Sequence, residues 1–288
     1  MYSYDALVRD LRRFERAGLE TGAIGKTVSG TDIPYVHVGG HSGGQAIVQA
    51  AIHAREHITA ALTIGLIDDV LSDFPEELKT CGIYFVPMVN IDGVRLCAEG
   101  ADFIGDPERR DFLIRTNGMR GGDFTLWKAN LNAVDLNCNF PARWGAGVEN
   151  VRAPAPESWP GPYPASEPET RALIRFSLKV RPRVTISYHC KGREIYWQFH
   201  QRGPALSRDR AVAEKLARAT GYALIEGDRG SAGGYKDWCV ARLGIPAFTI
   251  EAVSDDCPHP VPYSVLAGET ARNRDVPRVV LDYIMEGF

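Results

Sequence analysis

His53 and Glu56 stand three positions apart at the end of an apolar run, residues 46–52, and offer an imidazole nitrogen and a carboxylate oxygen. One tight turn can aim both at a single point. That donor pair suits zinc, and a third ligand from elsewhere leaves the fourth tetrahedral position open for water, the catalytic arrangement. His189 is the best third donor because it ends a second apolar run, 184–188. Glu251 sits at the end of a third. A carboxylate there needs a charged or hydrogen-bonded partner. An HxxE pair is a weak signal in a chain with seven histidines, so the surrounding elements decide its weight. His57, His200 and His259 read as ordinary polar or solvent-facing residues.

The elements that must position these groups alternate along the chain. Ser3 can cap a first helix on which Leu7, Leu11 and Phe14 share a face. A polar, glycine-rich stretch follows, then an edge strand near 33–38. The run 46–52 predicts a strand buried on both faces, 58–71 an apolar helix, and 82–89 another buried strand ending in a turn at 90–93. Residues 98–165 show little periodicity, and a stretch that long without elements is usually functional. Ser166 and Glu169 have the spacing of a capping box that opens a helix to about Val180. Further strands are predicted at 184–188, 194–199 and 247–253, and helices near 205–219, 235–243 and 268–285. The pattern predicts one α/β domain over residues 1–288, a mixed and largely buried sheet flanked by helices. Ligands of open α/β sheets sit beyond the carboxyl ends of strands, where His53, His189 and Glu251 all fall.

Composition narrows the function classes. The 288 residues are 44% hydrophobic and 24% charged, which excludes a disordered chain. A net charge of −3 lacks the basic excess of a nucleic-acid binder. No apolar run reaches the ~18 residues of a membrane span. Neither nucleic acid nor a membrane is therefore expected as a partner. The N-terminus has no basic segment followed by an apolar stretch, and the six cysteines stand singly. Reduced thiols and a cytoplasmic location are the expectation.

An ordered series of segments resembles the zinc carboxypeptidase family, typified by the pancreatic digestive enzymes. The series begins with Ile52-His53-Ala54-Arg55-Glu56-His57-Ile58 and Val86-Pro87-Met88-Val89-Asn90-Ile91-Asp92-Gly93. It continues through Trp127-Lys128-Ala129-Asn130, Val134-Asp135-Leu136-Asn137-Cys138-Asn139-Phe140 and Ser187-Tyr188-His189. It ends with Gly233-Gly234-Tyr235-Lys236-Asp237-Trp238 and Phe248-Thr249-Ile250-Glu251. The resemblance implies a metallopeptidase with one zinc per chain on His53, Glu56 and His189. It also implies Glu251 as the carboxylate that takes a proton from water and hands it to the leaving amine. The metal polarises the substrate carbonyl and acidifies water, and Lys128 is the expected cation for the developing oxyanion.

Three departures bear on the substrate. Lys128 stands where the digestive enzymes carry an arginine, so it supplies charge without the bidentate fork. Asn137-Cys138 replaces an Asn-Arg pair whose arginine grips the substrate's α-carboxylate; Cys138 is expected to line the pocket rather than act as a nucleophile. Lys236 falls at the side-chain specificity position, and Arg229 falls near the family's mobile tyrosine. Several segments look more like a bacterial subgroup, the γ-D-glutamyl-L-diamino acid peptidases. In a cell-wall stem peptide, meso-diaminopimelate follows γ-D-glutamate and carries a distal carboxylate that Lys236 could pair with. Where D-alanine follows, no free α-carboxylate remains for an arginine at position 138. The expected partner is thus a peptide or muropeptide. The first alternative is an ordinary carboxypeptidase anchoring the terminus through Asn137, Arg55 or Arg229. The second is a zinc N-acyl amino acid deacylase. A non-catalytic zinc module is disfavoured because a dead site has no need of Glu251.

Overall fold

The computed structural model describes residues 1–286; the last two positions of the predicted 1–288 domain lie outside the described residues. Ser3 caps α1 (Tyr4–Arg16), its hydroxyl accepting from the Ala6 N–H at 3.2 Å, while Leu7 and Phe14 are buried. There follow β1 (Glu20–Lys26), β2 (Asp32–Gly39), β3 (Gln45–Ala50), α2 (Ile58–Asp73) and β4 (Gly82–Val86). Next come α3 (Ile91–Glu99), α4 (Pro107–Thr116), α5 (Pro168–Val180), β5 (Val184–Cys190), β6 (Glu194–Tyr196) and α6 (Gly203–Thr220). The chain ends with β7 (Ala223–Ile225), α7 (Tyr235–Trp238), β8 (Ala247–Ala252), α8 (Leu266–Asn273) and α9 (Val276–Glu286).

The eight strands form one mixed sheet in the order β1-β2-β4-β3-β5-β8-β6-β7. Its centre, β4-β3-β5-β8, is parallel, with antiparallel neighbours on both sides. Successive side chains on a strand face opposite ways, so Ile47 and Val48 of β3 enter different cores. Val48 joins residues of α1, α2, α6 and α9 on one face, and Ile47 joins residues of α5 and α7 on the other. Burial on both faces is why β3 and β5 are largely apolar, with the polar side chains Gln49, Thr185 and Ser187 buried as well.

Several boundaries differ from the sequence expectation. The strand near 33–38 is β2, and the sheet edge is β1 outside it. Of β1 only Ile24 is buried, so no apolar alternation marks it. Residues 90–93 open α3 rather than a turn, with the Asn90 side chain accepting from the Gly93 N–H at 3.0 Å. Ser166 and Glu169 form no capping box. The cap of α5 is Glu167, without a side-chain cap bond, and Glu169 turns away to accept from the Val28 N–H at 3.0 Å. The predicted 268–285 helix is two helices, and β7 carried no signal in its three residues. Residues 98–165 contain α4 and supply Leu113, Phe124 and Trp127 to a third apolar cluster that Leu96 of α3 joins. His57 is buried instead of solvent-facing, and its Nδ1 accepts from the Tyr2 N–H at 3.2 Å.

Candidate metal centre

The loop after β3 is built to turn sharply. Ala51 adopts a left-handed φ of +48°. Its N–H donates to the Thr59 hydroxyl at 3.0 Å, and that hydroxyl donates to the Glu56 carbonyl at 2.8 Å. The buried Asn90 amide reaches the carbonyls of Ile52, Lys128 and Ala129 at 3.0–3.3 Å. It thereby joins the His53 loop to the Lys128 loop, and the Ala54 and Arg55 N–H groups donate to the carbonyls of Lys128 and Trp127.

This turn brings His53 and Glu56 against His189 at the end of β5. His53 Nδ1 lies 2.8 Å from Glu56 Oε1. His189 Nδ1 lies 3.1 Å from Glu56 Oε2 and 3.1 Å from His53 Nδ1. All three residues are buried. Metal bonds of about 2.0–2.1 Å place tetrahedral donors about 3.3 Å apart, close to these separations. While both rings are neutral, two ring nitrogens facing each other beside one carboxylate are badly matched as a hydrogen-bond network, because each imidazole then has one donor and one acceptor. One cation between them satisfies all three, so the donor set fits zinc.

A second layer orients the first. Asp135 accepts at Oδ1 from His53 Nε2 at 3.2 Å, and its other oxygen takes the Ser158 N–H at 3.0 Å. A carboxylate behind a ligating histidine fixes the tautomer that presents the opposite nitrogen to the metal. Burial disfavours the charged Asp135, but His53 outweighs it and holds this carboxyl well below the usual range. Burial likewise pulls His53 down, yet Glu56 and Asp135 together outweigh it and lift His53 to about 9. Burial alone dominates at His189, whose pKa falls.

Glu251 pairs with His189 across β5 and β8, so the two share a face at the strands' carboxyl ends. Burial, then the negative Glu56, pushes Glu251 up to about 8. A bound cation would reverse part of that rise. Glu251 lines a pocket of about 240 Å³ with Asn137, Tyr196, Arg229 and Lys236. A second pocket of about 260 Å³ holds His53, Lys128, Asp135 and Cys138, and Asn137 and Arg229 line both.

The remaining predicted residues fall around these pockets. Lys128 and Arg55 approach Glu157 Oε2 at 4.0 and 3.5 Å. Arg55 also donates to the Leu126 carbonyl at 3.2 Å. Asn137 Oδ1 accepts from the Tyr235 N–H at 3.1 Å. Lys236 is buried; its Nζ donates to the Gln198 carbonyl at 2.8 Å and pairs with Asp237 Oδ1 at 2.6 Å. Arg229 is exposed on a left-handed residue at the pocket mouth. Burial raises the Cys138 thiol well above its ordinary pKa, the opposite of an activated nucleophile. Asp135, Glu157 and the Asp237 partner of Lys236 were not singled out from sequence. Asp135 and Asp237 had a signal, each as the lone acid inside a quoted segment, 134–140 and 233–238.

Residues 6–262 match the family described as zinc carboxypeptidase, peptidase M14. The chain is 30% identical over 274 residues to gamma-D-glutamyl-L-diamino acid endopeptidase 1 of Lysinibacillus sphaericus, covering 90% of this chain and 67% of that protein. Murein peptide amidase A of Escherichia coli is 41% identical over 72 residues, 22% of this chain and 28% of that one. Bovine thrombin-activatable fibrinolysis inhibitor has the same fold, with a TM-score of 0.80 at 20% identity over 99% of this chain and 97% of that one.

Asp135→Asn keeps the side chain's size but lets an amide N–H face His53 Nε2. Zinc affinity, measured by chelator competition, should fall about 10- to 100-fold with the fold retained by circular dichroism. Unchanged affinity would remove Asp135 from the site.

Proposed function

The chain belongs to the zinc carboxypeptidase family, and from that premise we propose that His53, Glu56 and His189 hold one catalytic zinc and that the enzyme cleaves γ-D-glutamyl-diaminopimelate bonds in cell-wall peptides. As a member it is a zinc peptidase, hence a hydrolase. When bound, zinc supplies the Lewis acidity that polarises a carbonyl and acidifies water. Glu251, beside His189 at the pocket wall, takes the proton of the attacking water and delivers it to the leaving amine. Lys128, which lines the pocket with His53, offers a fixed positive charge to the oxygen that turns negative as the carbonyl is attacked. Burial lowers its charged form, but Asp135 and Glu56 outweigh this and its pKa stays raised, so it remains a cation at neutral pH. Arg55 shares the rim acid Glu157 with it.

The observation that carries the substrate reading is the environment of Lys236. An ammonium has three donors. One meets the Gln198 carbonyl, while Asp237 Oδ1, 2.6 Å away, is an ion partner that takes no hydrogen bond from it, so a donor remains for the pocket that Lys236 shares with Glu251. A substrate side chain ending in a carboxylate answers that donor. Cys138 supplies no charge to a free α-carboxylate, so a residue whose carboxylate is tied up in an amide is accepted. The name of the relative from Lysinibacillus sphaericus describes the same bond class. The second reading, an ordinary carboxypeptidase, is favoured by Arg229 at the mouth of both pockets. There a guanidinium can meet a terminal carboxylate, with Asn137 beside it.

Three outcomes are expected. Glu251→Gln should bind zinc normally and lose at least about 10²- to 10⁴-fold in turnover, the range of general-base contributions; near-normal turnover would contradict its role. A panel should hydrolyse a γ-D-glutamyl-meso-diaminopimelate peptide faster than its lysine analogue and faster than ordinary peptides with free termini. Lys236→Met should lower kcat/KM on the diaminopimelate substrate by about 10- to 200-fold, as loss of a charge-assisted bond does, and leave the lysine analogue nearly unaffected. Equal losses on both would make Lys236 structural. Preference for free-terminus peptides, abolished in Arg229→Ala, would establish the second reading instead.

A further inference from the structure

A second group of metal-type donors lies at the opposite end of the sheet. Strand register sets Glu20, His37 and Tyr84 in one row across β1, β2 and β4. His41 comes from the loop between β2 and β3. Gln45, which contacts this group, opens β3, whereas His53 follows the far end of that strand. At about 3.3 Å per residue the two groups stand on the order of 20 Å apart.

The hydrogen bonds assign the free lone pairs. The Gln45 amide nitrogen donates to the carbonyls of Gly40 and Gly43 at 2.9 and 3.2 Å. Its Oε1 therefore faces His37 Nε2, 3.0 Å away, as an acceptor. His37 must carry its proton on Nε2, which leaves a bare Nδ1, the arrangement in which a backing carbonyl orients a ligating imidazole. That Nδ1 points at Glu20 Oε2, 3.6 Å away, so a lone pair faces a carboxylate oxygen. The other Glu20 oxygen accepts from the Tyr35 hydroxyl at 2.9 Å, which directs Oε2 into the group. His41 Nε2 lies 2.9 Å from the same Oε2. His37 is only 3% exposed, and among the described residues the ion partners of Glu20 are these two histidines.

We infer that Glu20, His37 and His41 form a second metal site, which takes a divalent ion of the zinc class through two imidazoles and one carboxylate. Late transition ions favour such nitrogen-rich sets over magnesium or calcium. An ion placed here replaces the repulsion between His37 Nδ1 and Glu20 with two bonds. The stacked rings of His37 and His41, 4.2 Å between centroids, fan open on binding. The exposed His41 can do this, since its contact with the Tyr84 hydroxyl is long at 3.4 Å. Bound metal ties the edge strand β1 and the β2–β3 loop to β2, so occupancy raises the melting temperature.

The test is zinc stoichiometry of the metal-free full chain after dialysis against micromolar free zinc, read by elemental analysis. Wild type should hold two equivalents, and His41→Ala and His189→Ala one each. Zinc should raise the melting temperature of His189→Ala, and Glu20→Gln in that background should cancel the rise. His41→Ala should keep wild-type peptidase activity. A wild type whose uptake is unaffected by His41→Ala would overturn the second site. If His41→Ala removes one equivalent while His189→Ala removes none, the second site stands and the catalytic assignment falls.

Discussion

Two imidazole nitrogens and a carboxylate crowded within about 3 Å, away from water, are tolerable only around a positive charge. Much of the local architecture holds His53, Glu56 and His189 in that crowding. The left-handed Ala51, the Thr59 bridge and the Asn90 clamp each close part of the loop that carries His53 and Glu56. The parallel pairing of β3, β5 and β8 carries His189 and Glu251 to the same end of the sheet. Burying a carboxylate without a partner costs several kcal/mol, so the cluster and its cation stabilise one another.

That local charge orders its surroundings. Asp135 backs His53, Lys128 lines the same pocket, and Glu251 stands on the neighbouring strand with its pKa raised by burial. A cation arriving beside Glu251 would make its carboxyl more acidic, so under the proposed role metal binding and the readiness of Glu251 to take a proton are linked. The adjoining pocket is graded. Its buried wall holds Lys236, already paired with Asp237, and its mouth holds the exposed Arg229. The pocket thus offers a confined charge at its wall and an exposed one at its mouth.

The proposed ligands His53 and His189, with Glu251, were legible because strands buried on both faces read as largely apolar runs. His53, His189 and Glu251 stand out at the ends of such runs. Asp135 was not legible by that rule, since it lies in a loop without period and its role comes from contact with His53 across 82 positions. The edge strand β1 was missed because Ile24 is its one buried side chain. His57 looked solvent-facing, but docking of the N-terminus against α2 buries it. The pairing of Lys236 with Asp237 also escaped, because adjacent residues on a helix start need not face each other; Lys236 is held by the Gln198 carbonyl and Asp237 by the Gly234 N–H, contacts that only the folded chain supplies.

Anomalous diffraction at the zinc absorption edge, from crystals of the zinc-loaded protein, tests the central claim most directly. The account predicts a peak within bonding distance of His53 Nδ1, the Glu56 carboxylate and His189 Nδ1. Electron density in which these three groups contact one another with no anomalous scatterer between them would contradict it.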